Sequence, residues 1–340
     1  MYGAAVAVED EVSRFHREAF VVDLHNDMLT KLVLRGGNLG RRHGAQALYN
    51  PLAFDIDVPK LREGGVDALG CLLFAGMGLM ARRRFWKQLE EFERLFEKHP
   101  ELVRARTAAE LRAAKAAGKV ALFLGIEGAL AVEDDPAVLQ KLADAGVRFF
   151  GICWNKTNKA GVSSFDKKND GGLSTLGREL IGECNRLGIM VDVSHASKRT
   201  FWDLIDASKT PVFSSHSGCE ALKAHPRNLD DEQLRAVGKQ GGVVGIIFAA
   251  NFLGGLFGAT VETICDHIEH VVEVAGEDAV ALGTDFDGFV PLPRGMRDVR
   301  DLPRITQLLW KRGFGEQRLK KLLGENFLRY FEGFDETRPS

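Results

Sequence analysis

The chain has 340 residues, 45% hydrophobic and 27% charged, ordinary proportions for a globular protein long enough to bury a large core. Lysine plus arginine (45) nearly balances aspartate plus glutamate (47), for a net charge of −2. That balance leaves no electrostatic case for nucleic acid or an anionic membrane as a partner. The five cysteines (Cys71, Cys153, Cys184, Cys219, Cys265) are scattered, odd in number and form no C-x-x-C. They suit buried thiols in a reducing compartment better than a disulfide framework.

The amino terminus, MYGAAVAVEDEVSRFHREAF, has no basic segment followed by an apolar one and reads as a short polar helix. No apolar run reaches the ~18 residues a membrane span needs, and the polar carboxyl end, ETRPS, lacks the tail of a lipid-anchor signal. A cytoplasmic location is the expectation. Phe20–Leu24 is the first β-rich run and closes on His25-Asn-Asp27. Thr30 to Asp57 follows, rich in Gly and Arg and poor in periodicity, a long loop of the functional or mobile kind. Val66–Phe74 is the second strand, Ala81–Lys98 a helix through Phe85, Leu89, Phe92, Leu95 and Phe96, and Thr107–Ala117 a shorter helix. Val120–Ile126 is the third strand, closed by Glu127. Pro136–Ala145 is helical, and Arg148–Cys153 is the fourth strand, ending at Trp154-Asn155.

After a polar loop, Leu173–Arg186 reads as an amphipathic helix. Two apolar runs then follow, Ile189–Val193 and Pro211–Ser215, each ending on a histidine, His195 and His216. Between them Ser197 can cap a helix whose Phe201, Leu204 and Ile205 share one face. Strand, helix and strand in this length make a right-handed βαβ unit with parallel strands, which brings both histidines to one carboxyl edge. Gly242–Phe248 and Ala279–Gly283 are the seventh and eighth strands, separated by the helix Val261–Ala275. The last strand ends in Thr284-Asp285-Phe286-Asp287-Gly288, and helices near Leu302–Lys311 and Glu316–Phe331 finish the chain. Eight such strand–helix pairs predict a single-domain (β/α)8 barrel, the TIM-barrel class. A doubly wound open sheet would want a Gly-rich phosphate turn after the first strand, and HNDMLTK is unlike one.

In a barrel, the ends of the predicted strands form one ring. His25, Asp27, Glu127, His195, His216 and Asp285 therefore converge in one pit. Three imidazoles and several carboxylates in one pit are costly unless a cation balances the acids. A pair of divalent ions does so; imidazole with carboxylate suits zinc, and two-metal hydrolases hold their ions ~3.5–4 Å apart. His25 and Asp27, at i and i+2, point to the same side of an extended segment and can share one ion. Glu127 can bridge two. Asp285 lies nearer the strand end than Asp287, so it is the catalytic candidate and Asp287 the loop-holding one.

The motifs DLHND, GIEG, VDVSH, SSHSG…HPRN and GTDFDG, in this order from Val21 to the GENFLRYFE near the end, resemble the membrane (renal-type) dipeptidases of the amidohydrolase superfamily. The His-x-Asp start is specific, since other amidohydrolases usually begin with His-x-His. The resemblance implies a dinuclear zinc site, two Zn²⁺ per chain, with His25 and Asp27 on one ion, His195 and His216 on the other and Glu127 bridging. It also implies that Arg227 binds the substrate carboxylate and that Asp285 shuttles the proton. The expected activity is zinc-dependent hydrolysis of dipeptides, L-Xaa-D-Xaa included, by a metal-bridging hydroxide, in a bacterial-type homodimer. The alternatives are another amide or lactam hydrolase of the superfamily, or a non-catalytic metal- or ligand-binding barrel. The chain departs from its relatives at strand four, where many carry a substrate-contacting histidine. Cys153-Trp154-Asn155 stands there instead. Trp154 and Asn155 are both substrate-binding candidates; neighbours on a strand face opposite sides, so one is expected to face the pit, Trp154 as a side-chain wall or, alternatively, Asn155 as an amide donor to the oxyanion.

Overall fold

Strong β-formers bounded by helices give nine strands among the described residues, all paired in parallel. They are β1 (Val22–Asn26), β2 (Ala68–Phe74), β3 (Leu102–Arg104), β4 (Val120–Glu127), β5 (Val147–Gly151), β6 (Met190–Asp192), β7 (Ser214–Ser217), β8 (Val244–Ile246) and β9 (Val280–Leu282). This computed structural model describes residues 11–44, 53–76 and 78–336. The strand order is β6-β5-β4-β2-β1-β9-β8-β7. A parallel bridge between Asp192 and Phe213, with backbone bonds on either side of it, joins the two ends of that path. Eight strands alternating with helices thus form the expected (β/α)8 barrel. The short β3 was not expected. It pairs with Val120–Leu122, below the point where β5 takes up the same edge of β4 at Leu124.

Several expected boundaries shift. The amino-terminal helix is present from residue 11 to 18, and its predicted earlier part lies outside the described residues. The stretch Thr30–Asp57, expected to be irregular, is helical over Met28–Arg35, and residues 45–52 lie outside the described residues. The helices Ala81–Lys98, Val261–Ala275 and Leu302–Lys311 match their predicted ends. Ser197 caps the helix Lys198–Ala207 as expected, its side chain accepting from the Thr200 N–H. The last helical stretch is broken by a π turn, Lys321–Glu325, where Gly324 rests against the backbone of Phe20.

The barrel lumen is layered. Val22, Leu24, Phe123, Phe149, Met190, Phe213 and Ala281 form an inner cluster that continues into Phe327, Phe331 and Phe334 of the helix Asn326–Glu336. Phe327 stacks on Phe123 at 5.1 Å, closing the amino-terminal end. Leu122, Leu124 and Ile126 join the second cluster, between strands and helices. Period-two alternation thus puts Phe123, Gly125 and Glu127 on the lumen side of β4, in rising order. Gly125 is required, because a Cβ there would lie 2.1 Å from the Phe149 ring. The apolar plug therefore ends below Glu127, and the carboxyl mouth is left to polar groups.

Candidate metal centre

All six residues of the expected pit are buried, and the structure brings them together. Glu127 Oε1 lies 2.9 Å from His195 Nε2, 3.6 Å from His216 Nε2 and 3.7 Å from His25 Nε2. His25 Nε2 stands 3.9 Å from Asp27 Oδ2. Three groups of potential ligands lie here among the described residues, Glu127–His195–His216, His25–Asp27–Asp285 and His25–Asp192–His216, the last sharing a histidine with each of the others. Asp27 is not in extended backbone as expected. It is the cap residue before Met28–Arg35, at φ −104°, yet the convergence with His25 is kept.

The strands deliver these side chains by breaking their own regularity. Both β1 and β7 shift register near their ends, between Asp23 and Asn26 and between Ser214 and Ser217. Strict alternation from Leu24 and Phe213 would turn His25 and His216 out of the lumen; the irregularities turn them in. His195 and Asp285 sit at φ 66° and 61°, left-handed positions that an L side chain occupies at a cost of ~1–3 kcal/mol. Gly288 makes room for Asp285, since a Cβ there would fall 1.9 Å from Asp285 Oδ1.

Burial, then the charges of Asp27 and Asp285, pushes the Glu127 carboxyl well above the usual range. Burial first, then Asp27, does the same to Asp285, while Asp27 is raised to about 6 by burial. The three histidines are pushed well down, chiefly by burial, and stay neutral. Crowded acids beside neutral imidazoles are what a divalent cation relieves.

Hydrogen bonds on the far side of each ring decide which nitrogen faces inward. Asn155 Oδ1, an acceptor only, takes the Nδ1–H of His195 at 2.9 Å. Ser215 Oγ lies 2.8 Å from His216 Nδ1 and 3.1 Å from His25 Nδ1. Where Ser215 accepts from both rings, all three Nε2 atoms are left as bare lone pairs. Those of His195 and His216 face each other at 3.0 Å, and His25 Nε2 is buried with no hydrogen-bond partner among the described residues. This donor set fits divalent metal.

Trp154 and Asn155 both line the pit, a cavity of about 300 Å³ whose walls include Phe74, Phe252 and Phe289. The expectation that they face opposite ways fails because β5 ends at Gly151 and both lie in the loop beyond it. Arg227 is buried beside the pit in an adjoining cavity of about 310 Å³ that shares His195. One of its amino groups donates to His216 O at 3.0 Å, and its buried Nε has no hydrogen-bond partner among the described residues. Burial lowers its pKa to about 10, so it remains charged at neutral pH. Asp287 holds the loop as expected, accepting from Lys31 Nζ at 2.8 Å and from the Asp55 N–H at 2.7 Å. Asp192 and Ser215, outside the expected site, lie behind the histidines, Ser215 Oγ touching His25 and His216 and reaching Asp192. Their signal was present: a carboxylate between valines, and a serine, inside buried strands.

A parallel barrel with imidazoles and carboxylates gathered at its carboxyl mouth defines the class of metal-dependent hydrolases. Residues 9–339 match the membrane dipeptidase family, peptidase family M19, and the chain belongs to that family. Among solved structures, an amidohydrolase from Pseudomonas aeruginosa is 29% identical over 95% of this chain and 98% of its own, with a TM-score of 0.80. A metallopeptidase of family M19 named dipeptidase AC is also 29% identical, over 92% and 98%, at 0.82. A metallopeptidase from Rhodobacter sphaeroides, bound to a phosphinate mimic of the dipeptide L-Ala-D-Ala, is 27% identical over 92% and 99%, at 0.81. The chain is thus a metallo-dipeptidase-type hydrolase.

Proposed function

We propose that this chain hydrolyses dipeptides, L-Xaa-D-Xaa among them, with two zinc-like divalent ions at the pit. The observation that carries the reading is the approach of the His195 and His216 Nε2 atoms to 3.0 Å beside Glu127, with an acceptor behind the Nδ1 of His195. Two lone pairs at that distance repel unless a cation lies among them. His195 and His216 would hold one ion and His25 and Asp27 the other, with Glu127 shared. When bound, the ions polarise the scissile carbonyl and bring the pKa of water to about 7.

The chain's own groups supply the rest. Asp285, made more basic by burial and by Asp27, would as the carboxylate take the proton of the attacking water and deliver it to the leaving nitrogen. Arg227 offers its unpartnered Nε–H to the substrate's carboxylate, a contact that favours free dipeptides over amides. Trp154, tilted against Phe74 at 4.7 Å, forms an apolar wall for a side chain. The inclusion of a D-residue rests on the Rhodobacter enzyme's bound mimic.

The test is elemental analysis of active protein together with a panel of L-L and L-D dipeptides and their carboxyl-terminal amides. We expect two ions per chain, chelator-sensitive turnover restored by Zn²⁺, Co²⁺ or Mn²⁺, and poor hydrolysis of the amides. Active protein with one ion or none rejects the two-ion arrangement. Equal turnover of amides removes the carboxylate clamp and favours a broader amide hydrolase.

A further inference from the structure

Below the ligands lies a buried layer in which one hydroxyl touches two imidazoles. Ser215 Oγ is 3.1 Å from His25 Nδ1, 2.8 Å from His216 Nδ1 and 2.5 Å from Asp192 Oδ2. A hydroxyl has one hydrogen and two lone pairs. Its hydrogen goes to Asp192, because a short bond to a carboxylate outcompetes the 3.3 Å contact with Ser194 Oγ. Toward both histidines Ser215 can then only accept. Each Nδ1 must carry a hydrogen, and each Nε2 must be bare.

Asp192 is itself fixed. Its Oδ1 accepts the N–H groups of Ser194 and Ser215, both at 2.9 Å, which leaves Oδ2 aimed at the hydroxyl. Strand β7 cannot slide away either, for Ser215 O presses on Gly283 and Gly245, where a Cβ would stand only 1.8 and 2.2 Å from it. His195 differs: its Nδ1 rests on Asn155 alone.

We infer that Ser215, oriented by Asp192, is a shared positioning residue that sets the tautomer of both His25 and His216 and so links retention of the two ions. The linkage rests on the two-ion reading above, in which His25 and His216 belong to different ions. Asn155, by contrast, serves the ion of His195 only.

The variants S215A, S215T and N155A separate these roles through two readouts. The first is ¹⁵N NMR of histidine tautomers in the metal-free protein. The wild type should show His25 and His216 in the Nδ1–H form, S215T should preserve it, and S215A should give mixed tautomers at both rings with His195 unchanged. The second is the ion content of each protein after dialysis against graded chelator. S215A should release both ions together at roughly 10–100-fold weaker affinity, the range for loss of a ligand's supporting hydrogen bond, and N155A should release one. Unchanged tautomers in S215A, or release of a single ion, would overturn the inference. A wild-type chain that holds fewer than two ions removes the two-ion reading and the linkage with it. The tautomer spectra, recorded without metal, still uphold or reject Ser215 as the positioning residue in that case.

Discussion

Asp285 combines a strained backbone, a glycine neighbour that yields to its carboxyl and a pKa raised by burial. Replacing it with asparagine keeps the shape and removes the proton carrier. Asp285→Asn should retain its metal and lose about 10²–10⁴-fold in kcat, the range for a general acid–base group; steady-state kinetics with parallel elemental analysis checks both halves. Trp154 and Asn155 part company by contact rather than by strand parity. The indole lies against Phe74, whereas the amide is spent on His195. Trp154→Ala should therefore shift preference among dipeptides by ~1–3 kcal/mol in kcat/KM ratios, with ion content unchanged in the dialysis assay. The positions of these two residues were legible in the sequence; their directions were not, because nothing in the order of residues shows that β5 ends before them.

Among elements, the segment after β9 is anchored by a buried cation. Lys31, on the helix Met28–Arg35, is fully buried and reaches Asp287 at 2.8 Å and Asp55 at 3.7 Å. It also lies 5.5 Å from the ring of Phe289, which lines the pit. One cation thus joins the helix after β1, the segment at Asp55 and the loop that presents Asp285. Lys31→Met should destabilise the protein by about 3–5 kcal/mol, because it strands buried carboxylates without their partner. Urea unfolding measures the loss, and kcat/KM should fall with it as the Asp285 loop loses its anchor. The segment around Asp55 reads as irregular in sequence because its order comes from these distant groups, not from local periodicity.

At the scale of the molecule, the barrel is an apolar column with a charged lid. Phe327 and its neighbours fill the bottom, and three acids and three imidazoles crowd the top. Ions bound at that top add RT ln(1 + [L]/Kd) to stability, about 4 kcal/mol for one site at a thousandfold excess over Kd. Stripping them with a chelator should lower the Tm by several degrees or more. The loss should reverse on adding Zn²⁺ and grow with the free Zn²⁺ concentration at which the loaded form is measured. A Tm indifferent to chelator and metal would mean the mouth holds its charges without a cation.

The eight-strand barrel and the ring of His25, Asp27, Glu127, His195, His216 and Asp285 could be determined from the sequence alone. Both rest on local signals: apolar periodicity names the strands, and polar residues at their carboxyl ends must share one mouth once parallel pairing closes the sheet. What only the tertiary structure decided is how those residues point and what supports them. The register irregularities that turn His25 and His216 inward are one part of this. The left-handed backbones of His195 and Asp285, and the serine and asparagine that fix the imidazole nitrogens, are the others. Each arises where strands distant in sequence press on one another, and such contacts leave no period for a sequence to display.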